Sequence, residues 1–180
     1  KLVGWKSKIV GQLTAGLAGL AKQRKVQVVQ GVGTFTSPSV LRVHADSGDT
    51  DIEFKHAIIA AGSEPVALPD FPNGEPRLID STGALELTEV PRRLLVIGGG
   101  IIGLEMATVY MELGSQVTVV ELLDGLMAGV DRDLVKPLER RMKKKLDAIY
   151  TSTRVTKIDS QAEALLVYFE GEAAPDSGSY

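Results

Sequence analysis

The chain has 180 residues, 20 of them Lys or Arg and 23 Asp or Glu, with no cysteine, 19 glycines and 8 prolines. At roughly 150 residues per domain this is one domain or two small ones, and 44% hydrophobic with 24% charged residues can supply a core, which excludes disorder throughout. A net charge of −3 offers no positive field for nucleic acid or anionic lipid, and zero cysteines exclude disulfide staples, thiolate catalysis and cysteine-based zinc sites.

No stretch approaches the ~18 consecutive apolar residues that cross a bilayer, so no membrane partner is expected. The opening residues, Lys1-Leu2-Val3-Gly4-Trp5, carry neither an initiating Met nor a signal-peptide pattern. The expectation is a cytoplasmic chain that starts in mid-protein.

Trp5, Ile9, Leu13, Leu17 and Leu20 recur at steps of four and three, the spacing of one helix face, and predict an amphipathic helix to about Arg24. Gly4, Gly11, Gly16 and Gly19 weaken it by about 1 kcal/mol each relative to Ala, so it needs a larger surface to lie against. From 26 to 61 the pattern becomes short β-rich runs, at 26–30, 39–44, 51–54 and 57–61, which reads as a small antiparallel meander. The last run, Ala57-Ile58-Ile59-Ala60-Ala61, is uniformly apolar and predicts a strand buried on both faces.

Five of the eight prolines lie between Ser63 and Arg93. Proline suits neither a central strand nor a helix interior, so this stretch reads as an irregular connection with a domain boundary near Val90. The expected domains are 1–90 and 91–180. Beyond it, 94–97 reads as a buried strand, 101–113 as a helix closed by Gly114, and 117–120 as a second strand, together one βαβ unit. Asp131 or Asp133 can cap a further helix with the stripe Leu134, Leu138, Met142 and Leu146, kinked or starting late because of Pro137. Strand-like runs follow at 149–152, 154–158 and 164–169, and the tail 171–180 is polar and turn-rich. The fold class is α/β: a Rossmann-like parallel βαβ domain preceded by a helix and an antiparallel meander.

Each part of the segment from Leu94 to Glu121 has a physical task. Gly98 permits a tight turn off the strand, Gly100 lets backbone approach a diphosphate with no Cβ in the way, and Gly103 lets helix and strand pack closely. The diphosphate then faces a helix N-terminus, where unpaired N–H groups and the positive dipole end favour an anion. Glu121 follows the second strand, 18 residues after Gly103, where a carboxylate can accept from both hydroxyls of an adenosine ribose. Leu122 and Leu123 come next, with no Arg to neutralise a 2′-phosphate, so NAD is favoured over NADP. Three glycines can also make only a structural turn. The strand-to-helix context, with Ala107, Gly114 and Glu121 at workable spacings, favours dinucleotide binding.

The run Ile97-Gly98-Gly99-Gly100-Ile101-Ile102-Gly103-Leu104-Glu105-Met106, with Ile58-Ile59-Ala60-Ala61-Gly62-Ser63-Glu64-Pro65 and Asp80-Ser81-Thr82-Gly83-Ala84-Leu85-Glu86-Leu87, resembles the bacterial dihydrolipoamide dehydrogenase family of FAD-dependent pyridine nucleotide-disulfide oxidoreductases. The resemblance covers essentially the whole chain and matches the family's middle: the end of the FAD-binding domain and connector over 1–90, then an incomplete NAD-binding domain over 91–180. It implies that Gly98, Gly99, Gly100, Ile101, Ile102, Gly103 and Glu121 bind NAD and that Val155 packs near its adenine end. It implies further that Glu105 lies beside the nicotinamide, pairing with a lysine whose segment is missing here, and that Val32, Gly33, Ala61, Gly62 and Ser63 line the FAD pocket. Ile101 stands where glutathione reductases carry a gating tyrosine, which favours the lipoamide branch.

The implied parent is a homodimeric flavoprotein that oxidises dihydrolipoamide and reduces NAD, its partner the dihydrolipoyl-bearing acyltransferase of 2-oxo acid dehydrogenase complexes. The family's first FAD glycine motif, redox-active cysteine pair, later FAD-binding Gly-Asp motif and C-terminal His-Glu pair are all absent. By itself the chain is therefore expected to be inactive, with no catalytic residue of its own. The last strand of the NAD domain, expected after Tyr180, is also absent, which predicts an exposed sheet edge. Another flavoprotein disulfide oxidoreductase such as a mercuric reductase, a soluble transhydrogenase, or a non-catalytic dinucleotide-binding module are the alternatives.

Other candidates have plainer readings. The basic run Arg140-Arg141-Met142-Lys143-Lys144-Lys145 is interrupted at helical spacing and reads as a solvated face, on which Glu139 and Lys143 can pair. His44 and His56 are isolated surface residues, so no metal is expected. Asp124, Asp131 and Asp133 are explained by helix capping rather than by a carboxylate-pair mechanism. Neither a Gly-x-Ser-x-Gly elbow nor a P-loop is present.

Overall fold

A computed structural model describes residues 1–180. Helix α1 occupies Leu2–Gln23, as the apolar spacing predicts, and buries none of its residues. Its end is a Schellman motif: Lys25, at φ +56, donates to Lys22 O (3.1 Å), and Val26 N donates to Ala21 O (2.9 Å). The strand expected at 26–30 does not form, because Val26 caps the helix and the residues after it have no ladder partner.

The meander is instead β1 (Val32–Ser37), β2 (Val40–His44) and β3 (Thr50–Glu53), antiparallel and in that order. Phe35 and Phe54 meet edge to face at 5.9 Å. Arg42 lies opposite Asp51 in the register and grips it through two nitrogens at 2.7 and 2.8 Å. The apolar run 57–61 is not a strand, and Ile58 is 94% exposed. A strand buried on both faces needs hydrogen-bonding neighbours, and none of β1 to β3 pairs with it.

The chain divides into two compact units, Lys1–Ser63 and Glu64–Tyr180, and the proline-rich connector belongs to the second. Within that connector a short helix the spacing does not reveal, α2 (Ser81–Glu86), is capped by Asp80, whose carboxylate accepts from Gly83 N at 2.9 Å. Strand β4 (Arg93–Ile97), helix α3 (Ile101–Glu112) and strand β5 (Gln116–Val120) form the βαβ unit, and the strands are parallel. Gly114, at φ +108, ends α3 in a second Schellman motif, with Ser115 N donating to Tyr110 O and Gly114 N to Met111 O, each at 3.0 Å.

Helix α4 (Arg132–Lys145) and strand β6 (Ala148–Tyr150) extend the parallel sheet to the order β4-β5-β6. Asp131 caps α4 by accepting from Asp133 N at 3.0 Å. The helix starts at Arg132 and runs through Pro137 rather than starting late. Pro137 sits near the N-terminal end, where its missing N–H forfeits only the bond to Asp133 O. The buried stripe departs from the predicted one only at its first position: Leu134 is 72% exposed and Val135, at 1%, takes its place, while Met142 and Leu146 are buried and Leu138 packs against them. Glu139 and Lys143 pair at 2.7 Å as their spacing predicts.

Three antiparallel strands complete the unit: β7 (Arg154–Ser160), β8 (Leu165–Glu170) and β9 (Ser177–Ser179). The tail is thus not all turn, since β9 pairs with β8 through Leu166–Ser179 to Tyr168–Ser177. Strand β5 is the centre of the packing. Val117 and Val119 enter the core made with Leu104, Ala107 and Tyr110 of α3 and Val135 and Met142 of α4. Val120 enters a second core with Ile158, Val167 and Phe169. Alternate residues serve opposite faces, which is why 117–120, the buried part of β5, is apolar apart from Thr118. Strand β4 has a strand neighbour on one side only, so its other edge is open. No helix is long and apolar enough to cross a membrane.

Candidate functional site

The glycine loop follows β4 without a break in the ladder, since Gly98 N donates to Val120 O at 2.8 Å. Gly98 then turns the chain at φ +108, a conformation side-chained residues rarely adopt. The two glycines that follow differ in environment. Gly99 is buried: a Cβ on it would stand 2.5 Å from Leu126 Cδ2 and 3.3 Å from Glu121 Oε2. Gly100 is exposed, is the N-cap of α3, and a Cβ there would meet nothing within 4 Å. At Gly103 a Cβ would overlap Gly98 O and lie 3.2 Å from Val96 Cγ1, so the first turn of α3 lies directly on the end of β4.

The mouth of the loop is open. Ile101 and Ile102 are exposed, and no acceptor in the chain takes the N–H groups of Ile101, Ile102 or Gly103. Those donors and the helix dipole converge on the space beside Gly100.

Glu121 lies at this mouth. Its main chain is held at both ends, N donating to Tyr150 O (2.8 Å) and the carbonyl accepting from Thr153 N (3.0 Å). Its carboxylate accepts from two N–H groups, Gly99 N at 2.7 Å on Oε2 and Leu123 N at 2.8 Å on Oε1. An ionised carboxylate has about four acceptor positions, so about two remain for a diol. A cleft of about 750 Å³ opens nearby, lined by Leu122, Thr151, Ser152, Arg154, Glu170, Gly171, Glu172 and Ala173.

Gly98, Gly99, Gly100, Ile101, Ile102, Gly103 and Glu121 therefore come together around one opening. Val155 is half-buried and packs on the core beneath β7, while its neighbour Arg154 lines the cleft. Glu105 is one turn along α3 from Ile101 and shares with it a different, mainly apolar groove of about 560 Å³, which also includes Val109, Met127 and Leu138. Val32, Gly33, Ala61, Gly62 and Ser63 belong to the first unit. Val32 and Gly33 pair with His44 and Val43, and Gly62 turns at φ +78 in an exposed segment.

Three residues that shape the loop carry no sequence signal. Leu126 fills the space over Gly99, Met127 N donates to Gly99 O at 2.9 Å, and Leu123 N orients the Glu121 carboxylate. They lie in the irregular connection between β5 and α4, which has no periodicity to read.

Comparison with known proteins gives a consistent result. Residues 2–174 match the family described as pyridine nucleotide-disulphide oxidoreductase. The chain is 50% identical over 171 residues to a dihydrolipoyl dehydrogenase of Vibrio cholerae serotype O1, covering 95% of this chain and 36% of that protein. It is 47% identical over 176 residues to one of Haemophilus influenzae, covering 97% and 37%. Among solved structures, the HOCl-induced flavoprotein disulfide reductase RclA from Escherichia coli superposes with a TM-score of 0.82 at 27% identity, covering 98% of this chain and 40% of that one. The chain thus spans about a third of the length of the curated relatives it matches.

Proposed function

The chain belongs to the pyridine nucleotide-disulphide oxidoreductase family, and from that premise we propose that it is the NAD-binding portion of a flavoprotein that oxidises dihydrolipoamide and reduces NAD within 2-oxo acid dehydrogenase complexes. The observation that carries the reading is the Glu121 carboxylate, tied to Gly99 at 2.7 Å beside Gly100, around which a Cβ would meet nothing within 4 Å.

The residues present fit a dinucleotide. The N–H groups of Gly100, Ile101 and Ile102 would hold the diphosphate, with no Cβ at Gly100 to fend it off. The spare acceptor positions of Glu121 would hold the adenosine ribose, and the same carboxylate would repel a 2′-phosphate. Val155 supports the floor of the adenine end from within β7. Glu105, exposed on α3 next to Ile101, would lie at the nicotinamide side. NAD, when bound, supplies the hydride acceptor; the chain contributes position and orientation. For FAD we assign the backbone of Val32, Gly33, Ala61, Gly62 and Ser63, and for the whole protein a homodimer whose substrate is presented by a dihydrolipoyl-bearing acyltransferase.

The domain reading is that 1–90 comes from an FAD-binding domain with its connector and 91–180 from an NAD-binding domain. With no cysteine in the chain, electrons from a dithiol have no entry point here, so this segment is expected to bind NAD without turning over.

Fluorescence titration with NADH and NADPH tests the proposal. NADH should bind and NADPH should bind markedly more weakly, with Glu121→Ala costing roughly 1.5–3 kcal/mol of NADH affinity. Equal affinity for the two nucleotides, or no binding of NADH, would refute it.

A further inference from the structure

We infer that Glu121 does two things in dinucleotide binding: besides holding the sugar, which rests on the reading above, its carboxylate latches the glycine loop in the conformation that receives the diphosphate. Gly98, Gly99 and Gly100 are three consecutive glycines, the most flexible kind of backbone there is. A loop of that composition samples many shapes unless something external selects one.

The selection acts on the middle residue, from both sides. The N–H of Gly99 points inward to Glu121 Oε2 at 2.7 Å, and its carbonyl accepts from Met127 N at 2.9 Å. The Glu121 carboxylate cannot swing away freely, because its other oxygen accepts from Leu123 N at 2.8 Å. The main chain of Glu121 is pinned to Tyr150 and Thr153, so the latch is anchored in the parallel sheet and not in the loop. With Gly99 turned inward, the free donors at the mouth are those of the flanking residues at the start of α3.

Releasing the latch lowers the fraction of molecules whose loop is ready, and apparent affinity falls in proportion to that fraction. Sugar recognition and diphosphate grip are therefore coupled through one side chain. Replacing Glu121 to admit a 2′-phosphate also loosens the loop for every ligand.

The experiment is calorimetric titration of the full chain with ADP and with 2′,3′-dideoxy-ADP, which carries the diphosphate and adenine but neither ribose hydroxyl. Glu121→Ala should weaken dideoxy-ADP by roughly tenfold, because a charge-assisted hydrogen bond within the protein is lost. Glu121→Gln, which puts an NH2 donor in place of one of the two oxygens that accept from Gly99 N and Leu123 N, should fall between. A dideoxy-ADP affinity unchanged in Glu121→Ala, while ADP weakens, leaves the sugar contact intact and overturns the latch. A wild-type chain that binds neither ADP nor NADH overturns the dinucleotide reading and this inference with it. Amide exchange in the ligand-free wild type needs no variant: Gly99 should exchange at least tenfold more slowly than Gly100, and equal rates would also overturn the latch.

Discussion

The hydroxyl of Tyr110, on α3, donates to the carbonyl of Ala84, on α2, at 2.8 Å, and both residues are buried. This bond fastens the proline-rich connector to the helix that carries the glycine loop. Burial raises the Tyr110 phenol above its usual range, with a smaller contribution from Glu89. Tyr110→Phe removes the donor and leaves a buried carbonyl without a partner. The expected loss is about 1–3 kcal/mol in global stability, read from urea midpoints, with NADH affinity little changed because the loop itself is untouched.

Gly103 and Gly16 should respond in opposite directions to the same substitution. A methyl at Gly103 collides with Gly98 O, and α3 can escape only by moving off β4. Gly103→Ala should therefore cost about 1–3 kcal/mol by overpacking and weaken NADH binding. Around Gly16, in α1, a Cβ meets nothing within 4 Å, so Gly16→Ala should stabilise the helix by about 0.5–1 kcal/mol. Thermal unfolding followed by far-ultraviolet circular dichroism reads both.

Leu126 is fully buried and covers the position where a Gly99 side chain would stand. Leu126→Ala should cost about 2–5 kcal/mol, the transfer of the side chain plus the cavity it leaves. Because the cavity lies against Gly99, NADH affinity should drop as well, whereas Met142→Ala, in the same core but behind α3, should lower stability with a smaller effect on binding. Equal binding losses in the two variants would contradict the placement of Leu126 as a support of the loop.

Glu75 is held at about 2, well below its usual 4.5, first by the Arg77 guanidinium and then by the Ser160 hydroxyl and the Arg77 N–H. The Arg77 contact is 2.8 Å, and Glu75 also accepts from Ser160 of β7, so the cluster ties the connector to the antiparallel sheet. A carboxylate with a lowered folded-state value stabilises fully above about 4.5, and that contribution disappears as pH falls toward 2. Glu75→Gln should therefore be less stable than the wild type at pH 7, and the gap should close between pH 4.5 and 2. Urea midpoints across that range test it; a gap that stays constant would argue against the ion pair as its source.

Local steric rules made much of this protein legible from its residues. The period of Trp5, Ile9 and Leu13 marks α1, the Val117, Val119 and Val120 run marks β5 as a strand, and Gly114 marks the end of α3. The spacing from Gly98 to Glu121 brings the acid and the loop together because one βαβ unit has a fixed geometry. Where prediction and structure differ, the deciding partner is distant. The run 57–61 has the composition of a central strand but no neighbour to pair with, and 26–30 gives its first N–H to the end of α1. Leu134 and Val135 both satisfy helical patterning, and only the direction from which β5 and α3 approach selects Val135.

The amino-acid order alone determined the glycine turn, the acid at the end of the second strand and the class of fold, because sterics and periodicity act between residues near in sequence. Tertiary structure decided that the Glu121 carboxylate accepts from Gly99 and Leu123, that Leu126 and Met127 brace Gly99, and that β9 joins a third sheet. Those outcomes depend on which donors and surfaces meet after the chain has folded back, and hydrogen bonding and close packing are satisfied across space rather than along the sequence.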